Sequence, residues 1–254
     1  MKTLASLALT ALLFPAIVHA ENANVAVAAN FAAPMKEIAG AFEQASGHQL
    51  TVSIGSTGKL FSQIQNGAPF DVFLAADTKT PKEAEDAGLS VPDSRFTYAI
   101  GKLVLWSPQA NLVDNEGGIL NTGKFERIAM ANPKLAPYGE AAEQIVEKMN
   151  LAEILKNKWV FGQSIGQTYQ FIASGNVDLG FVALSQVAEQ GRIKSGSAWI
   201  IPQDLYEPLR QDAQLLAHGK DNAAAVAFVA FLKSPATAAM IESFGYGLPE
   251  SAGQ

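Results

Sequence analysis

Short strand-like apolar segments alternate with helical patterns along this chain, and that alternation constrains its fold more than any other feature. Residues 25–28 form an apolar run, and residues 35–42 carry apolar side chains at helical spacing. The same order recurs at residues 50–64 and again at residues 71–88. Repeated strand and helix units of this length predict a parallel sheet with helices on both faces.

A second set of such units begins at residues 98–108, a long apolar stretch, and no low-complexity linker separates the two sets. We therefore predict an α/β chain with two similar lobes, each a mainly parallel sheet flanked by helices, joined by hinge strands. The chain is expected to cross near Gly101 and to return near Ala213. The first lobe would span residues 21–101, completed by residues 213–254, and the second would span residues 102–212.

The first twenty residues have the pattern of a secretory signal peptide. Lys2 precedes an apolar run that Pro15 interrupts, and Val18, His19 and Ala20 match the small-x-small cleavage rule. The sequence predicts cleavage after Ala20 and a periplasmic location.

Composition excludes several classes of function. Without Lys2 the chain has 17 lysine and arginine residues against 24 aspartate and glutamate residues, a formal charge of −7. An acidic protein without a basic cluster is a poor partner for nucleic acid or anionic lipid. The chain has no cysteine, and after cleavage only His48 and His218 remain. A transition-metal site of the Cys/His type is therefore not expected.

Four loops follow predicted strands, where ligands bind in open parallel sheets. They read AANFAAP, SIGSTGKL, ANPKLAPYG and GQSIGQ. The second loop resembles a phosphate-binding P-loop but does not match its motif. Ser53 stands where the first glycine belongs, and Leu60 follows Lys59 where the motif requires serine or threonine. Two adjacent hydroxyls, Ser56 and Thr57, lie between glycines at a helix start, where they could bind an anion or cap the helix.

The other loops each allow two interpretations. Asn30 could donate its amide to an anion or cap the following helix. Tyr138, at the start of a helix, could contact a ligand or fill the core. Ile165 is apolar, so only its backbone could act.

An enzyme hypothesis rests on the loop GQSIG, which matches the G-x-S-x-G nucleophile elbow around Ser164. Asp212 and His218 follow in the chain order of a hydrolase triad. The motif is short, and this hypothesis leaves the other three loops unexplained. A secreted serine hydrolase therefore remains the alternative to a binding protein.

The assembled motifs AANF, GSTGKL, NGAPFDVFLAAD, FTYAIGKLVLWSP, NPKLAPYG and DLGFVA occur in this order along the chain. In that series the sequence resembles the periplasmic molybdate-binding proteins of ABC-type uptake systems, which are type II substrate-binding proteins. The resemblance implies a monomeric binding protein without catalytic residues or a cofactor. It would capture molybdate or tungstate in the cleft between its lobes and deliver it to a membrane permease.

The resemblance also implies a ligand set without cationic side chains. The implied residues are Ala29, Asn30, Ser56, Thr57, Tyr138 and Ile165. Molybdenum would be held as molybdate through Asn30, Thr57, Tyr138 and Ile165. Another oxyanion, such as sulfate or phosphate, remains an alternative ligand.

Overall fold

Two five-stranded sheets organise the chain in a computed structural model, which describes residues 20–189 and 191–249. Residues 1–19 of the signal peptide expected at residues 1–20 lie outside the described residues. The strands are β1 (Asn22–Ala28), β2 (Gln49–Gly55), β3 (Val72–Leu74), β4 (Phe96–Gly101), β5 (Leu103–Ser107), β6 (Ile128–Ala131), β7 (Trp159–Gly162), β8 (Leu179–Ala183), β9 (Ala188–Glu189), β10 (Arg192–Ile193), β11 (Ser197–Ile200) and β12 (Leu209–Leu215).

Helices fill the connections between most of these strands. They are α1 (Ala32–Ser46), α2 (Thr57–Gln65), α3 (Lys79–Asp86), α4 (Ile119–Thr122), α5 (Pro137–Lys148), α6 (Ala152–Leu155), α7 (Ile165–Ala173), α8 (Leu184–Val187), α9 (Ala223–Leu232) and α10 (Pro235–Ser243). Short 3-10 helices occur at Ala29–Phe31, Gln203–Leu205 and Ala217–Gly219. Among the described residues no single helix is long and apolar enough to cross a membrane.

The first sheet has the strand order β2-β1-β3-β12-β4 and forms the first lobe. β1 pairs in parallel with β2 and β3, whereas β12 runs antiparallel to β3 and β4. Val25 and Val27 of β1 point into an apolar cluster with Phe31, Phe42 and Phe228. The alternation in β1 thus places helices α1 and α9 on one face of this sheet.

The second sheet has the strand order β11-β5-β8-β6-β7 and forms the second lobe. β6 is parallel to β7 and β8, while β5 is antiparallel to β8 and β11. Leu103 and Phe181 are fully buried in its core, together with Tyr138 of α5. The two-lobed α/β fold expected from the sequence is confirmed. Each sheet is mixed because one strand at a crossing between the lobes, β12 in the first sheet and β5 in the second, runs against the others.

The two crossings between the lobes lie side by side. β4 ends at Gly101 in the first sheet, and β5 begins at Leu103 in the second. The chain returns after β11, and β12 pairs with β4 from Leu209 opposite Gly101. β12 therefore begins inside residues 102–212, the range expected for the second lobe. The residue boundaries of the lobes otherwise stay a prediction.

Candidate functional site

A small cavity of about 10 Å³ lies between the two lobes. Sites for drug-sized ligands measure roughly 300–1,000 Å³, so this inter-lobe cavity suits a ligand of only a few atoms. Its lining residues are Ala28, Ala29, Asn30, Ser56, Thr57, Ala76, Ala136, Pro137, Tyr138 and Ile165. All six residues expected from the four loops are brought together there, and none of the lining side chains is charged.

Three helices begin at the inter-lobe cavity. Thr57 is the first residue of α2, Tyr138 the second of α5, and Ile165 the first of α7. N–H groups in a first helical turn have no partner within their own helix. None of these three donates to a backbone oxygen elsewhere in the described part of the chain. Helix N-termini carry partial positive charge, so the cavity has the electrostatics of an anion site.

Two hydroxyls add further donors. Thr57 Oγ1 accepts a hydrogen bond from the N–H of Ala76 at 3.0 Å, which leaves its own hydrogen free to donate. Ser56 is buried, and its Oγ has no partner among the described residues. A buried polar group without a partner costs roughly 1–3 kcal/mol. Both side chains are therefore poised for a ligand that accepts hydrogen bonds.

Asn30 lies in the 3-10 helix after β1 and does not cap the following helix. Its Nδ2 donates to Gln211 Oε1 at 2.8 Å and to Tyr246 Oη at 3.0 Å. Its Oδ1 is buried without a partner among the described residues. Asn30 thus lines the cavity, and its Nδ2 bonds to Gln211 of β12 and to Tyr246, which follows α10.

Gln211 is the residue that sequence reasoning missed. It lies on β12 at a register irregularity, is completely buried, and donates from Nε2 to Tyr138 Oη at 3.1 Å. Its Oε1 also accepts from Tyr98 Oη at 3.0 Å. Gln211 therefore joins Asn30 of the first lobe to Tyr138 of the second. Its neighbours in the sequence, Arg210 and Asp212, are charged, so the local pattern carries no signal of its distant partners.

Asn30, Gln211 and the three tyrosines bonded to them form a hinge network, and the tyrosine hydroxyls in it are all neutral. Burial raises the pKa of Tyr98 and of Tyr138 well above their ordinary value. Burial also raises the pKa of Tyr246 to about 12, against opposing hydrogen bonds from Ser185 and Asn30. These hydroxyls stay protonated at neutral pH, so they bring no negative charge near the cavity.

Direct contacts between the lobes show that the cleft is closed. Gly58 N donates to Leu135 O at 3.0 Å, and Ser185 Oγ donates to Asn30 O at 2.8 Å. A β-carbon on Gly166 would lie 3.3 Å from Cβ of Ala29. Small residues therefore allow the lobes to meet around the cavity.

Acidic residues line a wider groove at the rim of the cleft, with Asp77 from the first lobe and Glu140 from the second. Burial raises the pKa of Asp77, and Glu140 and Glu83 add to that shift, although hydrogen bonds from Thr80 oppose it. The rim therefore differs in character from the neutral inter-lobe cavity.

The nucleophile-elbow hypothesis is wrong. Ser164 caps α7 by accepting from Gln167 N at 3.2 Å. Asp212 instead accepts from Arg95 at 2.7 Å, and His218 Nδ1 lies 2.7 Å from Asp71 Oδ1. The three presumed triad residues thus have separate structural roles.

Within the described residues no cluster of His, Cys, Asp or Glu could hold a metal ion.

Converging N–H groups, two hydroxyls that can each donate a hydrogen bond, and a closed cleft between two lobes define a ligand-binding protein. Residues 23–247 match the family of bacterial extracellular solute-binding proteins. The chain belongs to that family.

Several similar proteins are named as molybdate-binding proteins, which is more specific than the family description. The chain is 54% identical over 241 residues to the molybdate-binding protein ModA of Azotobacter vinelandii, covering 95% of this chain and 96% of the relative. It is 49% identical over 221 residues to ModA of Rhodobacter capsulatus, covering 87% and 86%. The solved Azotobacter vinelandii periplasmic molybdate-binding protein superposes with a TM-score of 0.87 at 41% identity, covering 90% of this chain and all of that one. The expected resemblance is confirmed.

Proposed function

We propose that this chain is the periplasmic substrate-binding component of an ABC transporter, which captures molybdate or tungstate and delivers it to a membrane permease. One observation carries the proposal: a small cavity without charged side chains, at which three helix N-termini and two buried hydroxyls converge. Relatives that share about half of its residues are named molybdate-binding proteins.

The ligand residues we propose are Ala29, Asn30, Ser56, Thr57, Tyr138 and Ile165. Thr57, Tyr138 and Ile165 would donate through first-turn N–H groups, and Thr57 and Ser56 also through their hydroxyls. Hydrogen bonds to an ionised partner are stronger than neutral ones, so several converging dipoles can hold a dianion without a cation. The overall negative charge of the chain is compatible with this, because exposed charges beyond about 8 Å are largely screened at physiological salt.

A hinge motion that closes the cleft would accompany ligand capture. The first lobe contributes Asn30 and Thr57, and the second contributes Tyr138 and Ile165. Because these residues meet only when the cleft closes, a ligand that contacts both sets favours the closed form. Small-angle scattering should therefore show a smaller radius of gyration after molybdate is added. An unchanged radius would count against the hinge motion.

A panel of oxyanions tests the ligand. The chain from Glu21 onward would be melted in the presence of molybdate, tungstate, sulfate or phosphate. A ligand at 100 times its dissociation constant adds roughly 2.7 kcal/mol to stability. We expect molybdate and tungstate to raise the melting temperature at micromolar concentration, whereas sulfate and phosphate do not. A rise with sulfate or phosphate alone would favour the alternative ligand, and no rise with any oxyanion would refute the proposal.

A further inference from the structure

Asn30 belongs to the lining of the inter-lobe cavity, and one atom of its side-chain amide is left unpaired among the described residues. Its Nδ2 is bonded to Gln211 and Tyr246, and its buried Oδ1 has no partner among the described residues. A fully deprotonated dianion such as molybdate only accepts hydrogen bonds. An amide oxygen facing it would repel it, whereas the amide nitrogen would donate to it. Binding therefore calls for the opposite orientation of Asn30.

Gln211 is hydrogen-bonded to the Asn30 amide. Its Oε1 accepts from Asn30 Nδ2, and its Nε2 donates to Tyr138 Oη. A half-turn of the Gln211 amide would place Nε2 against Asn30 Oδ1 and Oε1 against the Tyr138 hydroxyl. Asn30 Nδ2 would then face the cavity.

The hinge network stays satisfied after this change. Burial raises the pKa of Tyr138 well above its ordinary value, so its hydroxyl keeps a hydrogen to donate to Gln211 Oε1. Tyr98 still donates to the backbone oxygen of Ala75. Tyr246 would face Asn30 Oδ1 and donate to it, while Ser185 Oγ still donates to the backbone oxygen of Asn30. The turned arrangement therefore pairs the buried atoms of both amides once an anion accepts from Asn30.

We propose that Gln211 is a positioning residue whose amide turns together with that of Asn30 and so decides which oxyanions the site accepts. With Asn30 Nδ2 toward the cavity, the site suits dianions without hydrogen. With Oδ1 toward the cavity, it suits oxyanions that carry a hydroxyl. The inference rests on the proposed function and adds to it a determinant of selectivity outside the cavity lining.

Two variants of similar size separate the orientations. In Gln211→Glu an ionised carboxylate only accepts, so it holds Asn30 Nδ2 and leaves Oδ1 toward the cavity; because burial raises the pKa of a carboxyl, the titration is repeated at pH 9.5, where the same result is expected. In Gln211→Met residue 211 makes no strong hydrogen bond, and Asn30 is free to turn. We expect Gln211→Glu to weaken molybdate binding at least tenfold more than Gln211→Met, measured by titration calorimetry at pH 8. A purely structural role would make the methionine variant the worse of the two, because it loses more hydrogen bonds.

Charge repulsion from the new carboxylate requires its own control. Sulfate and hydrogen phosphate have the same charge and similar size at pH 8, but only hydrogen phosphate carries a hydrogen. Repulsion alone would weaken both anions by the same factor. Our proposal predicts that the ratio of hydrogen phosphate to sulfate affinity rises at least tenfold in Gln211→Glu relative to the parent, measured by direct titration at millimolar anion.

A measurement on the parent protein covers the case in which either variant fails to fold. NMR would follow the side-chain amide signals of Asn30 and Gln211 while molybdate is added. These signals would be assigned from the backbone resonances, or by their loss in Asn30→Ala and Gln211→Met. We expect both to shift. Unshifted Gln211 signals with molybdate bound, or equal weakening in both variants with an unchanged anion ratio, would overturn this inference alone. A parent that binds no oxyanion would overturn the proposed function as well.

Discussion

Replacing Gly101 by alanine should disrupt the hinge network directly. A β-carbon at this position would lie 2.1 Å from Tyr138 Oη and 2.6 Å from Gln211 Nε2. Both atoms are buried, and the hydrogen bond between them joins β12 to α5. The added methyl group must therefore displace the Tyr138 side chain or the backbone of β4.

The expected cost follows from these contacts. Overpacking a dense interior costs typically 1–3 kcal/mol, and loss of a hydrogen bond adds about 0.5–1.5 kcal/mol. We therefore expect Gly101→Ala to lower the free energy of unfolding by about 1.5–4.5 kcal/mol. Molybdate affinity should fall as well, because Tyr138 stands in the first turn of α5 at the cavity.

Urea unfolding of the chain from Glu21 onward measures this loss. Gly40→Ala is the matched control, since Gly40 lies within α1 and a β-carbon there meets nothing within 4 Å. It should gain roughly 0.5–1 kcal/mol from helix propensity. Tyr138→Phe removes the clashing oxygen, so Gly101→Ala should cost less in that background. A cost below about 0.5 kcal/mol, or one unchanged by Tyr138→Phe, would refute the reasoning.

Two further predictions concern the cavity and its rim. Thr57→Ala should weaken molybdate binding by about 1–3 kcal/mol through loss of a donor to a charged partner, and calorimetry that shows undiminished affinity would remove Thr57 from the ligand set. Ser164→Ala is its control, because loss of that helix cap should cost about 0.5–2 kcal/mol of stability with a much smaller effect on affinity. Burial raises the pKa of Asp77, so the folded parent loses stability as the pH rises through that raised value. Asp77→Asn avoids this loss, and its advantage in urea unfolding should be largest near pH 7 and shrink as the pH falls through the raised pKa. An advantage that is absent, or constant with pH, would contradict the assignment.

The cavity lining was predictable because its signals are local. Ser56 and Thr57 stand between glycines where a strand pattern changes to a helix pattern, and Tyr138 follows a proline suited to a first helical position. Such signals need only a few neighbouring residues. The ends of successive parallel strands then place these loops at the same edge of each sheet.

Gln211 was not predictable for the opposite reason. Its partners Asn30 and Tyr138 are 181 and 73 residues away in sequence, and a glutamine in a strand carries no sign of what lies across the hinge. The start of β12 at Leu209 was not predictable either, because the side chains of Arg210 and Gln211 interrupt the apolar pattern of the strand. The antiparallel pairings of β12 depend likewise on how the chain returns from the second lobe.

Titration calorimetry of the chain from Glu21 onward, with molybdate and with sulfate, tests the central claim most directly. The two anions share charge and tetrahedral shape, so a cavity lined by neutral donors must separate them by size. Sulfate, the smaller ion, would leave donors with long hydrogen bonds or none, at roughly 1–3 kcal/mol each. The account predicts one molybdate per chain and sulfate at least about a hundredfold weaker, which needs only ~2.7 kcal/mol. Equal affinity for the two anions, or no binding of molybdate, would contradict it.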